Sequence, residues 1–157
     1  MSPSEAAELS KGIKTLGVRM DRHCENAMEI AMFLDKHEMI EKVLYPGLKN
    51  HPEHELAKTQ MKNFGGMISF NVKGGFEAGK KLMDNVKLIS LATSLGNVDS
   101  LIQHSASMSH SSMSKEERES VGIDDGQVRL SVGIEEARDI INDLENALNC
   151  VKKQLNL

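Results

Sequence analysis

The sequence predicts an α+β domain, a two-layer, mostly antiparallel sheet with helices packed on one face. Three features of the chain point to it. A long helical stripe opens the sequence, short strand patterns separated by turn signals follow, and a helix with one apolar face closes it. With few short βαβ units among the strands, an antiparallel sheet is favoured over a parallel one. At 157 residues the chain has the length of one domain, and a chain of that size buries roughly two-thirds of its unfolded surface.

The elements run in order as follows. From Glu5 to about Met39 the apolar residues Leu9, Ile13, Leu16, Met20, Cys24, Ala27, Ala31 and Leu34 recur at steps of three or four, tracing one helix face. Ser4 is placed to cap it, and Gly12 marks a possible break. Residues 41–45 form a short strand stopped by Pro46-Gly47, and a small helix runs from His51 to about Met61. Met67 to Val72 is a strand between two glycine pairs, and Phe76 to Asp84 is a helix. Lys87 to Ala92 reads as another strand. A long polar stretch from Ser94 to about Gly126 follows, rich in serine, with a short helix at Lys115 to Ser120. A loop of that length is usually functional or disordered. Gln127 to Val132 is a strand, and Glu135 to Leu155 a helix with Ile140, Ile141, Leu144, Leu148, Val151 and Leu155 on one face.

Composition narrows the class. Hydrophobic content of 39% and charged content of 27% are those of a globular chain. A net charge of −4 argues against a nucleic-acid partner, which needs a basic face. No stretch has the apolar length of a membrane span, and the polar start lacks the apolar region of a signal peptide, so the expected location is cytoplasmic. Cys24 and Cys150 lie far apart in helical patterns and read as buried thiols rather than a disulfide. Ten methionines scattered through helices read as core filler.

Arg129 is the residue on which a site can be built. Val128, Leu130 and Val132 alternate with it, so it projects from the face opposite the apolar one, held on a strand. A guanidinium so held meets a carboxylate with two parallel hydrogen bonds, although an ordinary salt-bridged surface arginine has the same pattern. A turn at Ser94-Leu95-Gly96, offering N–H and hydroxyl donors, would complete a carboxylate pocket if the two met. Competing chemistry is poorly supported. The six histidines include no H-E-x-x-H, the cysteines have no zinc spacing, and no G-x-S-x-G elbow serves the serines near His104 and His110. Neither glycine pair ends in the Gly-Lys-Ser/Thr of a phosphate loop.

Several joined segments carry a resemblance. Tyr45-Pro46-Gly47-Leu48, Phe64 to Phe70, Ser94-Leu95-Gly96, His104 to His110 and Val128 to Glu135, with Gly12 to Leu16 and Arg19-Met20, resemble the C-terminal part of the Cys/Met-metabolism enzymes. These depend on pyridoxal phosphate (PLP) and include cystathionine gamma-lyase, cystathionine gamma-synthase and methionine gamma-lyase. Nearly the whole chain is covered.

The resemblance implies that residues 1–157 are the C-terminal domain of a transsulfuration-type enzyme, with the small-domain fold of the aspartate-aminotransferase-like PLP enzymes. It implies that Arg129 holds the substrate α-carboxylate, that Ser94 and Leu95 sit beside it, and that Asp99 occupies a position tuning substrate preference. No residue here matches the cofactor lysine or the large PLP-binding domain, which is the implied missing partner. PLP is therefore expected in the intact family and not on this chain alone, and no catalytic or metal-binding residue is assigned. Two departures stand out. Ser4, Glu5, Glu8, Ser10 and Lys11 replace bulky apolar residues of relatives, as for a helix turned to water. Ser105 replaces a proline, loosening that loop. The leading expectation is an inactive substrate-carboxylate domain of a lyase or transferase for a sulfur amino acid or homoserine derivative. A non-enzymatic, self-associating domain and a histidine-dependent metal hydrolase are the alternatives.

Overall fold

The computed structural model describes residues Met1–Leu157. Eleven elements follow in order: α1 Pro3–Lys14, α2 Leu16–Lys36, β1 Ile40–Leu44, α3 His54–Gln60, β2 Met67–Val72, α4 Gly75–Asn85, β3 Ser90–Leu91, β4 Leu101–His104, α5 Lys115–Ser120, β5 Gln127–Ser131 and α6 Ala137–Leu155. The strands form one sheet in the order β1-β2-β5-β4-β3, antiparallel except for the β3–β4 edge. This is the α+β architecture that the sequence predicts.

Register explains which residues become core. Ile68, Leu130 and Ile102 stand abreast on β2, β5 and β4, and the next row is Val43, Phe70, Val128 and His104. Against these rows pack Ile30 and Leu34 of α2, Leu82 of α4, and Ile140, Leu144 and Leu148 of α6, every one of them fully buried. Burying each such side chain contributes roughly 1.5–3 kcal/mol, so the helix face of the sheet is the main source of stability.

Several boundaries differ from the sequence reading, each for a local reason. The N-cap is Ser2, not Ser4: its hydroxyl takes the Glu5 N–H while the Glu5 carboxylate takes the Ser2 N–H, a capping box. Pro3 thus sits at the first helical position, where its missing N–H costs nothing. The break falls at Thr15 rather than Gly12. Strand β1 begins and ends one residue earlier than read, and α3 is confined to His54–Gln60 because residues 51–53 form turns. Residues 87–89 are not strand, because the Asp143 carboxylate of α6 takes the N–H groups of Lys87, Leu88 and Ile89 at 2.9–3.1 Å. Only Ser90 and Leu91 then pair with β4.

Two larger corrections concern burial. Strand β4 lies inside the stretch read as a polar loop, and all four of its residues are buried. The apolar stripe of the first helix reaches the core only from Cys24 onward: α1 buries no residue, and Leu9, Ile13 and Leu16 are about half exposed. Cys24 is buried as expected, but Cys150 is exposed.

Candidate functional site

Arg129 is the middle residue of β5, between Val128 and Leu130, whose side chains are locked into the core. On the other face it stands in register with Ser69 of β2 and Gln103 of β4. Its Nη2 donates to the carbonyls of Thr93, at 2.8 Å, and Ser94, at 3.0 Å. The structure therefore brings Arg129 and the Ser94 turn together across the sheet.

A guanidinium has only donors, so the turn meets it with backbone carbonyls. The Ser94 hydroxyl has no protein partner, and the turn's N–H at Gly96 donates instead to Ser131 Oγ at 3.0 Å. Gly96 adopts φ +76°, the left-handed conformation that glycine tolerates at no steric cost. The turn is thus tied to β5 twice, at Arg129 and at Ser131. Nη1 of Arg129 has no protein partner, and Nε is buried without one.

Leu95 projects from the turn and lines a hollow of about 210 Å³ with Leu16, Met20, Met67, Val132 and His23. No lysine lines it. Asp99 is not brought to the guanidinium. It is exposed and accepts a hydrogen bond from Asn97 Nδ2 at 3.0 Å.

Sequence reasoning missed the clasp that holds this region. Glu135, read as the first helical residue, precedes α6, and its carboxylate accepts the N–H of Ser100 at 2.6 Å and the Ser100 hydroxyl at 3.0 Å. Ser100 Oγ in turn accepts the Gly133 N–H at 2.9 Å. From α2, Asn26 Nδ2 donates to the carbonyls of Gly133 and Glu135, and His23 Nδ1 lies 2.6 Å from the Val132 carbonyl. Gly133 has a steric reason to be glycine, since a Cβ there would stand 2.6 Å from Ser100 N. The G-I-E-E run was the available signal, but acidic residues after a strand read more simply as a helix start.

The serine-rich segment supplies supports rather than a nucleophile. His104 is fully buried against the ring of Phe76, with Nδ1 2.8 Å from Ser107 Oγ and Nε2 2.7 Å from the Asp125 carbonyl. A carbonyl on Nε2 makes that nitrogen the donor and leaves Nδ1 to accept the serine hydroxyl. Burial pushes the imidazole pKa below its usual value, against the opposing pull of the Asp125 carbonyl. Ser109 Oγ accepts Gln103 Nε2 at 3.1 Å and lies 2.9 Å from His110 Nδ1. No three His, Cys, Asp or Glu side chains converge as a metal site, and no helix is long and apolar enough to cross a membrane.

Comparison with known proteins agrees with this architecture. Residues 1–149 match the family model for Cys/Met metabolism PLP-dependent enzymes. The chain is 60% identical over 148 residues to L-methionine gamma-lyase of Fusobacterium nucleatum subsp. polymorphum, covering 94% of this chain and 38% of that protein. It is 50% identical over 147 residues to cystathionine beta-lyase of Coxiella burnetii, again covering 94% of this chain and 38% of the relative. A crystal structure of metB from Corynebacterium glutamicum superposes with a TM-score of 0.81 at 52% identity, over 90% of this chain and 36% of that one. The chain therefore spans well under half the length of these relatives. With a model match along almost its full length, relatives at half identity or better and the same fold in a solved structure, the chain belongs to the Cys/Met metabolism family of PLP-dependent enzymes.

Proposed function

We propose that residues 1–157 are the C-terminal, substrate-carboxylate-binding domain of a PLP-dependent enzyme acting on a sulfur amino acid, of the methionine gamma-lyase or cystathionine gamma-lyase type, and that the chain is inactive alone. The observation that carries this reading is Arg129, a guanidinium on a central strand beside the Ser94 turn with Nη1 unpartnered by protein. In this role the Nη edge of Arg129 binds and orients the α-carboxylate, and the Ser94 and Leu95 turn closes over it. Asp99 is assigned to substrate preference by resemblance alone.

The residues present do not fit PLP itself. PLP, where bound, stabilises a carbanion at the substrate's reacting carbon, and it needs a lysine beside a phosphate cradle. Lys11 and Lys14 are exposed on α1, and the hollow beside Leu95 has no lysine. No reaction step is assigned to this chain, whose missing partner is then a PLP-binding domain. The test is to mix the purified chain with PLP and L-methionine or cystathionine. No turnover is expected, and turnover would overturn the inactive reading. Carboxylate binding is read separately, as movement of the Arg129 side-chain NMR signals on titration with L-methionine.

A second reading, self-association without catalysis, is favoured by one observation. Helix α1 buries none of its residues and exposes Leu9 and Ile13, with Leu16 beyond its end. Light scattering at high concentration decides it, since a strict monomer removes it.

A further inference from the structure

We infer that Gln103 is the positioning residue of the Arg129 carboxylate site, its side-chain carbonyl serving as the acceptor that holds the guanidinium by its Nε–H. This rests on the reading of Arg129 as a carboxylate anchor and extends it to a residue on the neighbouring strand.

Two polar atoms on paired residues are left over. Gln103 and Arg129 stand directly opposite each other in the β4–β5 register, so their side chains leave the same face with Cβ atoms roughly 5 Å apart. Gln103 is 2% exposed, and its Oε1 has no hydrogen-bond partner. Arg129 Nε is likewise buried and unpartnered. A buried polar group left unpaired is costly, and here one orphan is an acceptor and the other a donor, on adjacent side chains. Ser109 Oγ accepts from Gln103 Nε2, which leaves the amide oxygen as the Gln103 atom without a partner.

The guanidinium's remaining edge makes the division of labour chemically sensible. Nη2 rests on the Thr93 and Ser94 carbonyls, and Nη1 has no protein partner. A carboxylate arriving on the Nη edge replaces a turn carbonyl and draws the group off its present rest position. With Nε held by Gln103, the planar group keeps one orientation through that exchange. Through Ser109 and His110, the serine-rich segment then acts as the outer support of the carboxylate site.

The experiment is side-chain NMR on the full chain, with Gln103→Leu and Gln103→Glu beside the unaltered protein. The Arg129 Nε–H is expected to be protected from exchange in the unaltered chain. In Gln103→Leu it should exchange roughly tenfold faster, the order that one charge-assisted hydrogen bond allows, with L-methionine binding weakened by a similar factor. Gln103→Glu keeps the acceptor and is expected to retain protection, with an Nε–H shift that follows titration of the new carboxyl. A support role confined to packing would lower Tm without moving that resonance. An unchanged Nε–H in Gln103→Leu overturns the inference. Should Gln103→Leu fail to fold, an Nε–H in Gln103→Glu that ignores the carboxyl's titration overturns it equally. If L-methionine leaves the Arg129 signals of the unaltered chain still, the carboxylate reading fails instead, while the exchange measurement continues to decide the Gln103–Arg129 contact.

Discussion

Nη2 of Arg129 lies 3.0 Å from the carbonyl oxygen of Ser94, a residue 35 positions earlier in the chain. The strand holds the guanidinium from below and the turn caps it from the side. In the proposed role, ligand binding must exchange one of these carbonyl contacts for a carboxylate.

Arg129→Lys keeps the positive charge but loses the planar fork. An ammonium meets a carboxylate as a point charge and has no second nitrogen in a fixed plane to make the paired contact. L-methionine affinity is expected to fall about tenfold or more while circular dichroism stays that of the unaltered chain. Equal binding in the two proteins counts against Arg129 as the anchor.

Asp143 carries the chain from α4 into β3. Its carboxylate receives three consecutive N–H groups, those of Lys87, Leu88 and Ile89, and it is largely buried. Asp143→Ala leaves those donors unpaired and is expected to cost about 2–4 kcal/mol in urea denaturation. Hydrogen exchange should localise the loss to residues 87–91.

Gly133 is needed for the clasp to close. An alanine Cβ would crowd Val98 O, Ser100 N and the Glu135 carboxylate. Gly133→Ala is expected to destabilise by roughly 1–3 kcal/mol and to displace the turn at residues 94–100, visible as shifts of the Leu95 and Gly96 amides. Stability within a few tenths of a kcal/mol of the unaltered chain would show that the clasp can yield.

His104 gives the fold a pH dependence whose sign follows from its burial. Its folded pKa lies below the ordinary imidazole value because burial disfavours the cation. Above the unfolded value, about 6.5, both states are neutral and its contribution is fully present. As pH falls below that value the unfolded chain takes up a proton first, so stability declines toward the folded pKa. Between pH 7.5 and 5.5 stability is expected to fall through this residue, and His104→Gln should remove that part of the pH dependence. Asp125, held below the usual carboxylate range by Arg118, has the same sign but acts at lower pH, below its ordinary value of 3.8.

Much of the architecture was legible because its signals are local. Met67 to Val72, between its two glycine pairs, and Lys115 to Ser120 have the bounds read from the sequence. Strand β4 was not legible. Leu101 to His104 is only four residues long and includes two polar side chains, His104, buried with both ring nitrogens partnered by Ser107 and the Asp125 carbonyl, and Gln103, whose Nε2 is partnered by Ser109. Without knowing those partners, two polar residues in a serine-rich stretch read as loop.

The amino-acid order by itself determined the class of fold, the strand on which Arg129 is mounted, the face from which it projects and the family to which the chain is similar. Periodicity and local backbone preference are properties of neighbouring residues, so they can be read in one dimension. Only the folded chain decided that the Thr93 and Ser94 carbonyls lie on the guanidinium, that Gln103 stands beside it, and that Glu135 closes on Ser100 rather than starting a helix. Those contacts join residues 26 to 36 positions apart. Their formation depends on sheet register and a packed core holding distant segments together against the entropy of closing the loops between them.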